Sequence, residues 1–153
     1  MIYLASDHAG LFLKNKLNNW FKQKGVLTTD IGPFEFDGED SYVPLAKKGI
    51  EEFLKSKDNN LLILVCGSGV GMNIVANRYK GIRAVLAYNK KQAIQSKLHN
   101  NANCLCLGAR NTSFFKAKGI INAFLKTEFL GGKYLKRIES IDSQIWDVNM
   151  IFE

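Results

Sequence analysis

Two hydrophobic periodicities take turns along this chain, and that exchange is what most limits how it can fold. Apolar, β-branched runs recur at 2–6, 26–31, 61–66, 84–87 and 103–107. Segments with helical spacing lie between them at 11–24, 43–55, 70–78, 90–98 and 113–126, with a further helix at 133–140. The short runs read as strands and the longer segments as the crossovers that parallel strands require. Strand and helix in alternation specify right-handed βαβ units, so the expected fold class is α/β, with five strands in a mostly parallel sheet covered on both faces. Gly25 closes the first helix, Gly131 and Gly132 precede the last, and 32–40 forms the longest polar loop.

At 153 residues, 46% hydrophobic and 23% charged, the chain has the size and composition of one ordinary globular domain. Without internal repeat, low-complexity segment or linker, it reads as a single domain over 1–142. A tail follows at 143–153, whose Trp146, Met150, Ile151 and Phe152 either pack on a neighbouring surface or fray. No apolar run approaches the roughly 20 residues of a membrane helix, and no basic segment leads into an apolar one at the start. Neither membrane insertion nor export is expected. Three cysteines, Cys66, Cys104 and Cys106, are an odd number for a disulfide framework, so reduced thiols and a cytoplasmic setting are the expectation.

The net charge of +7 is unevenly spread: between Asn59 and Thr127 there is no Asp or Glu, while ten Lys and Arg side chains fall in the same stretch. An anionic partner fits that asymmetry, and so does plain solvation of helix faces. The basic residues are dispersed and no nucleic-acid motif accompanies them, whereas a small anion suits them equally well.

In an open α/β sheet, ligands bind beyond the carboxyl ends of the strands. That rule gathers Asp7 and His8 after the first strand, Cys66 to Gly71 after the third, Tyr88 and Asn89 after the fourth, and Gly108 to Arg110 after the fifth. The run Cys66-Gly67-Ser68-Gly69-Val70-Gly71 is the most informative, since alternating glycines between strand and helix let backbone N–H groups converge on an anion at the positive end of the helix dipole. A dinucleotide fingerprint would need glycine where Met72 stands and a carboxylate about 20 residues on, which the acid-free stretch does not supply. A structural turn is the rival reading. Cys66, just before those N–H groups, is placed for easier ionisation and hence for work as nucleophile or base. The two histidines, His8 and His99, have polar neighbours and are the natural proton carriers, although His99 alone would read as a helix C-cap. Cys104 and Cys106 share a strand face and, even with His99, complete no zinc pattern, so core packing is expected of them.

Six separated signatures then point to one family: Ser6-Asp7-His8-Ala9-Gly10, Cys66-Gly67-Ser68-Gly69-Val70-Gly71, Gly81-Ile82-Arg83-Ala84, His99-Asn100 with Asn103, Leu107-Gly108-Ala109-Arg110, and Gly131-Gly132. In order and spacing, from about residue 2 to 141, the chain resembles type B ribose-5-phosphate isomerase. Relatives in that family act on allose 6-phosphate and galactose 6-phosphate. The resemblance implies a Rossmann-like three-layer α/β/α fold with a five-stranded parallel sheet. It implies an aldose–ketose isomerase of the pentose phosphate pathway with no metal and no organic cofactor, taking a small sugar phosphate rather than nucleic acid or membrane, and built as a homodimer or a dimer of dimers. By similarity Cys66 would move a proton between C2 and C1 with help from Ser68, and the N–H groups of Gly67, Ser68, Gly69, Val70 and Gly71 would hold the enediolate. His99 would open the furanose ring, Asn100 and Asp7 would place sugar oxygens, and Tyr42 would lie against the sugar. His8, Arg110, Lys133 and Arg137 would hold the phosphate.

Some members use a glutamate one residue after the loop's last glycine; here Met72 cannot take a proton, which leaves Cys66. Lys133 stands where arginine is usual, keeping charge but losing the bidentate fork. Ser41-Tyr42-Val43-Pro44 stands where Asp-Tyr-Pro is usual. The rival functions are the same chemistry on a six-carbon sugar phosphate and a non-catalytic sugar-phosphate-binding module. The module needs the glycine cradle but neither Cys66 nor His99. Finally, His99 ends a helix that returns to the amino edge of the sheet while Cys66 ends a strand at the carboxyl edge, so a site using both is expected to be shared by two chains.

Overall fold

Side chains alternate between the two faces of a strand, so a run that is apolar throughout must be covered on both. The computed structural model describes residues 1–56 and 61–143. Its strands are β1 (Ile2–Ser6), β2 (Thr28–Gly32), β3 (Leu61–Cys66), β4 (Ala84–Leu86) and β5 (Cys104–Gly108). Its helices are α1 (Leu11–Gln23), α2 (Tyr42–Lys55), α3 (Val70–Ala76), α4 (Lys90–Asn100), α5 (Phe114–Leu125) and α6 (Lys133–Ser143). The strands form one parallel sheet in the order β2-β1-β3-β5-β4. Central β3 is buried along its whole length. Leu61, Ile63 and Val65 join the cluster made with α1, α4 and α5, whereas Leu62, Leu64 and Cys66 join the cluster made with α2 and α3. This is the three-layer α/β/α fold. From residue 144 the apolar tail lies outside the described residues.

The order of strands decides where the layers divide. Connections toward the β2 edge, from β1 to β2 and from β4 to β5, pass through α1 and α4 on one face. Connections toward the β4 edge, from β2 to β3 and from β3 to β4, pass through α2 and α3 on the other. One crossover hand requires this assignment. The direction reverses between β1 and β3, which pair along their length, and the crevice beyond their carboxyl ends is where such sheets hold ligands.

Several boundaries move from the expected ones, each for a local reason. Residue 26 is not in the second strand, because its N–H bonds to the carbonyl of Phe21 at 3.0 Å while Gly25, at φ 69°, donates to Lys22. Those two bonds cap α1 and leave the strand to begin at Thr28. Ser41 caps α2 by accepting from the Val43 N–H at 3.3 Å. Pro44, in the first turn, occupies a position whose N–H would have no helical partner. Asn89 caps α4, which runs on to Asn100 and stops where Asn101 turns left-handed at φ 44°.

Candidate active site

Four strand ends and one loop converge at the carboxyl edge beside that crevice. Cys66 ends β3, and its Sγ accepts a hydrogen bond from the Gly69 N–H at 3.1 Å. The donor is the N-cap residue of α3. The loop can curl this tightly because Gly69 adopts φ 81°, where a Cβ would meet Leu86 at 2.5 Å. Ser68 accepts from the Val70 N–H through Oγ at 3.2 Å, which leaves its own hydroxyl proton to donate outward. The strands beside it hold the loop from behind: Ala109 N–H donates to Cys66 O at 2.8 Å, Arg110 N–H to Gly67 O at 3.0 Å, and the Tyr88 hydroxyl to Ser68 O at 3.2 Å.

Two side chains lie over the loop. The Arg110 guanidinium is so close to Gly67 that a Cβ there would sit 2.9 Å from Cζ, and the Tyr42 ring covers Gly71 at 2.7 Å on the same measure. Tyr42 thus lies against the glycine loop although Ser41 and Val43 flank it. After β1, Asp7 is buried and accepts the Gly10 N–H at 2.9 Å. Burial raises its pKa, with the Gly10 bond and the neighbouring His8 pulling the other way. The His8 Nδ1 lies 2.6 Å from Asp40 Oδ1, which also accepts the His8 backbone N–H at 3.1 Å.

The remaining expected residues stand at the opposite edge. His99 lies in the last turn of α4, shortly before the chain enters β5 at Cys104, which pairs with Leu62 and Ala84 near the strand starts. Arg83 Nε donates to the carbonyl of Asn100 at 3.1 Å, and Leu130 N–H to that of Leu98 at 3.1 Å, which brings α6 alongside. There the His99 ring stacks on Tyr134, centroids 4.7 Å apart, and both Lys133 and Arg137 lie over the same ring at 5.3 and 5.5 Å. Six residues of β3 span about 16–20 Å, so one chain does not bring His99 to Cys66. A cleft of about 540 Å³ also opens at this amino edge, between Arg83, Lys97 and Phe124, but it holds none of the Cys66 loop.

The signatures behind this arrangement extend over nearly the whole chain. The sequence profile of the family Ribose/Galactose Isomerase matches residues 2–141. This chain belongs to that family. Among ribose/galactose isomerase relatives, the "Probable ribose-5-phosphate isomerase B" of Mycoplasma genitalium is 39% identical over 140 residues, covering 92% of each chain. The "D-erythrulose-4-phosphate isomerase" of Pectobacterium atrosepticum is 36% identical, covering 92% of this chain and 91% of its own. A crystal structure of ribose-5-phosphate isomerase B from M. genitalium with bound ribulose-5-phosphate superposes with a TM-score of 0.88 at 39% identity, over 92% of this chain and 93% of that one.

Sequence reasoning missed two residues of these clusters. Asp40 is one of four carboxylates between Glu35 and Asp40, and nothing in their spacing tells which one turns inward. Tyr134 follows Lys133 and shares a helix with Arg137; an aromatic beside two phosphate candidates was the available signal. Cys104 and Cys106 are fully buried on the α2 and α3 face, in line with core packing, and burial pushes the Cys106 thiol pKa up.

Proposed function

We propose that the chain is an aldose–ketose isomerase that interconverts ribose 5-phosphate and ribulose 5-phosphate through a cis-enediolate. The observation that carries this reading is the thiol of Cys66 with the Gly69 N–H on its sulfur, at the crevice where the sheet changes direction. As thiolate, Cys66 takes the proton from C2 and returns it to C1. Ser68 assists, and the N–H groups of 67–71 hold the negative charge that develops on the enediolate oxygens. Asp7 and Tyr42 position the sugar from β1 and α2, and Arg110 with His8 takes the phosphate. His99 opens the furanose, Asn100 places a sugar oxygen, and Lys133 and Arg137 complete the phosphate clamp, these four being supplied by a second subunit. The working form is a homodimer or a dimer of dimers, with sites at the interface, in the cytoplasm. No helix among the described residues is long and apolar enough to cross a membrane, and Cys66, Cys104 and Cys106 are free thiols.

Ketose formation from ribose 5-phosphate, compared with four- and six-carbon aldose phosphates and repeated with chelator, tests the reading. Turnover of ribose 5-phosphate that chelation leaves unchanged is expected. Cys66→Ala should lose about 100- to 10,000-fold in kcat while still binding the phosphosugar. Substantial turnover by that variant removes Cys66 as base, and a preference for another aldose phosphate moves the assignment to that sugar.

A further inference from the structure

We propose that Asp40 is a positioning residue for this reaction: its carboxylate grips His8 by both backbone and ring, and so orients the imidazole for the substrate's phosphate. Both bonds fall on one oxygen, from the His8 N–H at 3.1 Å and from Nδ1 at 2.6 Å. That pairing assigns the ring proton at Nδ1 to Asp40 and leaves Nε2 without a protein partner among the described residues. The loop closes on the ring from a second side, because Phe36 meets it edge-on with centroids 5.9 Å apart and itself stacks on Phe12. Asp40 is carried into place by a turn at Asp37, whose carbonyl accepts the Asp40 N–H and whose side chain accepts the Glu39 N–H.

The other carboxylate oxygen supports a functional origin for the contact. Asp40 Oδ2 is buried and has no hydrogen-bond partner among the described residues. Leaving such an atom unsatisfied costs free energy, which folding alone gives no reason to incur. The charges facing His8 are Asp40, Asp7 and Arg110. The hydrogen bond to Asp40 raises the ring's pKa above its ordinary 6.5, the two carboxylates add to the rise, and burial and Arg110 oppose it. A ring whose positive form is favoured beside Arg110 suits a bound anion, so the proposal rests on reading His8 and Arg110 as the phosphate site.

Asp40→Asn keeps the shape and an accepting oxygen but removes the charge. It should raise KM for ribose 5-phosphate by about three- to tenfold near neutral pH and leave kcat within about twofold. As the pH is lowered the ratio of the two KM values should fall toward one, because His8 becomes protonated in both proteins and the substrate's own ionisation cancels. NMR titration of the two histidines, with His99→Asn to assign them, should show the His8 pKa falling in Asp40→Asn. His8→Gln separates the levels of the argument. If it changes neither KM nor inhibition by inorganic phosphate, the phosphate reading fails and the proposal with it. If it raises KM and weakens inhibition by phosphate while Asp40→Asn leaves KM and the His8 titration unchanged, the proposal alone is overturned.

Discussion

Two glycines at the carboxyl edge are small for different reasons, and substitution tells them apart. A Cβ on Gly108 would lie 2.4 Å from the carbonyl oxygen of Ser68, a backbone atom of the very loop that carries the site. A Cβ on Gly67 would meet the far end of the Arg110 side chain, which can swing aside. Gly108→Ala should therefore cost about 1–3 kcal/mol in stability and abolish turnover, since the loop must shift to admit the methyl group. Gly67→Ala should unfold at nearly the same denaturant concentration and show its effect in KM, through displaced Arg110. Urea unfolding and steady-state kinetics on both variants check this, and a Gly108→Ala protein with ordinary stability and turnover would refute the close approach.

At the scale of elements, the loop that delivers Asp40 is anchored by an ion pair inside the protein. Lys14 of α1 is fully buried, with Nζ 2.5 Å from Asp30 in the middle of β2 and 3.0 Å from the carbonyl of Pro33. Asp30 also accepts from Asn18 and from the Gly32 N–H. Lys14→Met should destabilise by about 3–5 kcal/mol, because it leaves the largely covered Asp30 carboxylate without its counter-charge. Adding Asp30→Leu should recover part of that loss; chemical denaturation of the single and double variants decides it, and a single variant as stable as the unaltered protein would contradict the pairing. The same pair shows what the sequence reveals and what it hides. Elements with a strong period were legible: β3, because both its faces are apolar, and the glycine loop after it, because alternating glycines have few structural uses. Nothing in the sequence singles out Lys14, since a buried cation announces itself only through a partner sixteen residues away. Asp40 was hidden for the same reason, its partner His8 being 32 residues back across a loop without periodicity. Tyr42 was legible through family resemblance, whereas its seat on Gly71 depends on how α2 packs on α3.

For the molecule as a whole, the topology separates residues that the proposed chemistry needs together. Cys66, Asp7, His8 and Arg110 sit beyond the carboxyl ends of the strands, and His99, Lys133 and Arg137 gather around Tyr134 at the amino edge. Proton transfer requires contact within about 3 Å, so a span of several times that length cannot be closed by side-chain motion within one chain. Two copies related by a two-fold axis and packed in opposite orientation solve the geometry twice, because each amino edge then faces the other's carboxyl edge. Complementation exposes this arrangement. Cys66→Ala and His99→Ala should each be inactive alone, yet a mixed dimer contains one site with both residues intact. With free exchange, half of the dimers are mixed and each has one working site of two, so activity should return to about a quarter of the unaltered level. Subunit exchange is verified separately, by native mass spectrometry of the mixture. Exchange without recovered activity, or full activity in a monomer held apart by dilution, would eliminate the shared site and require His99 to act elsewhere.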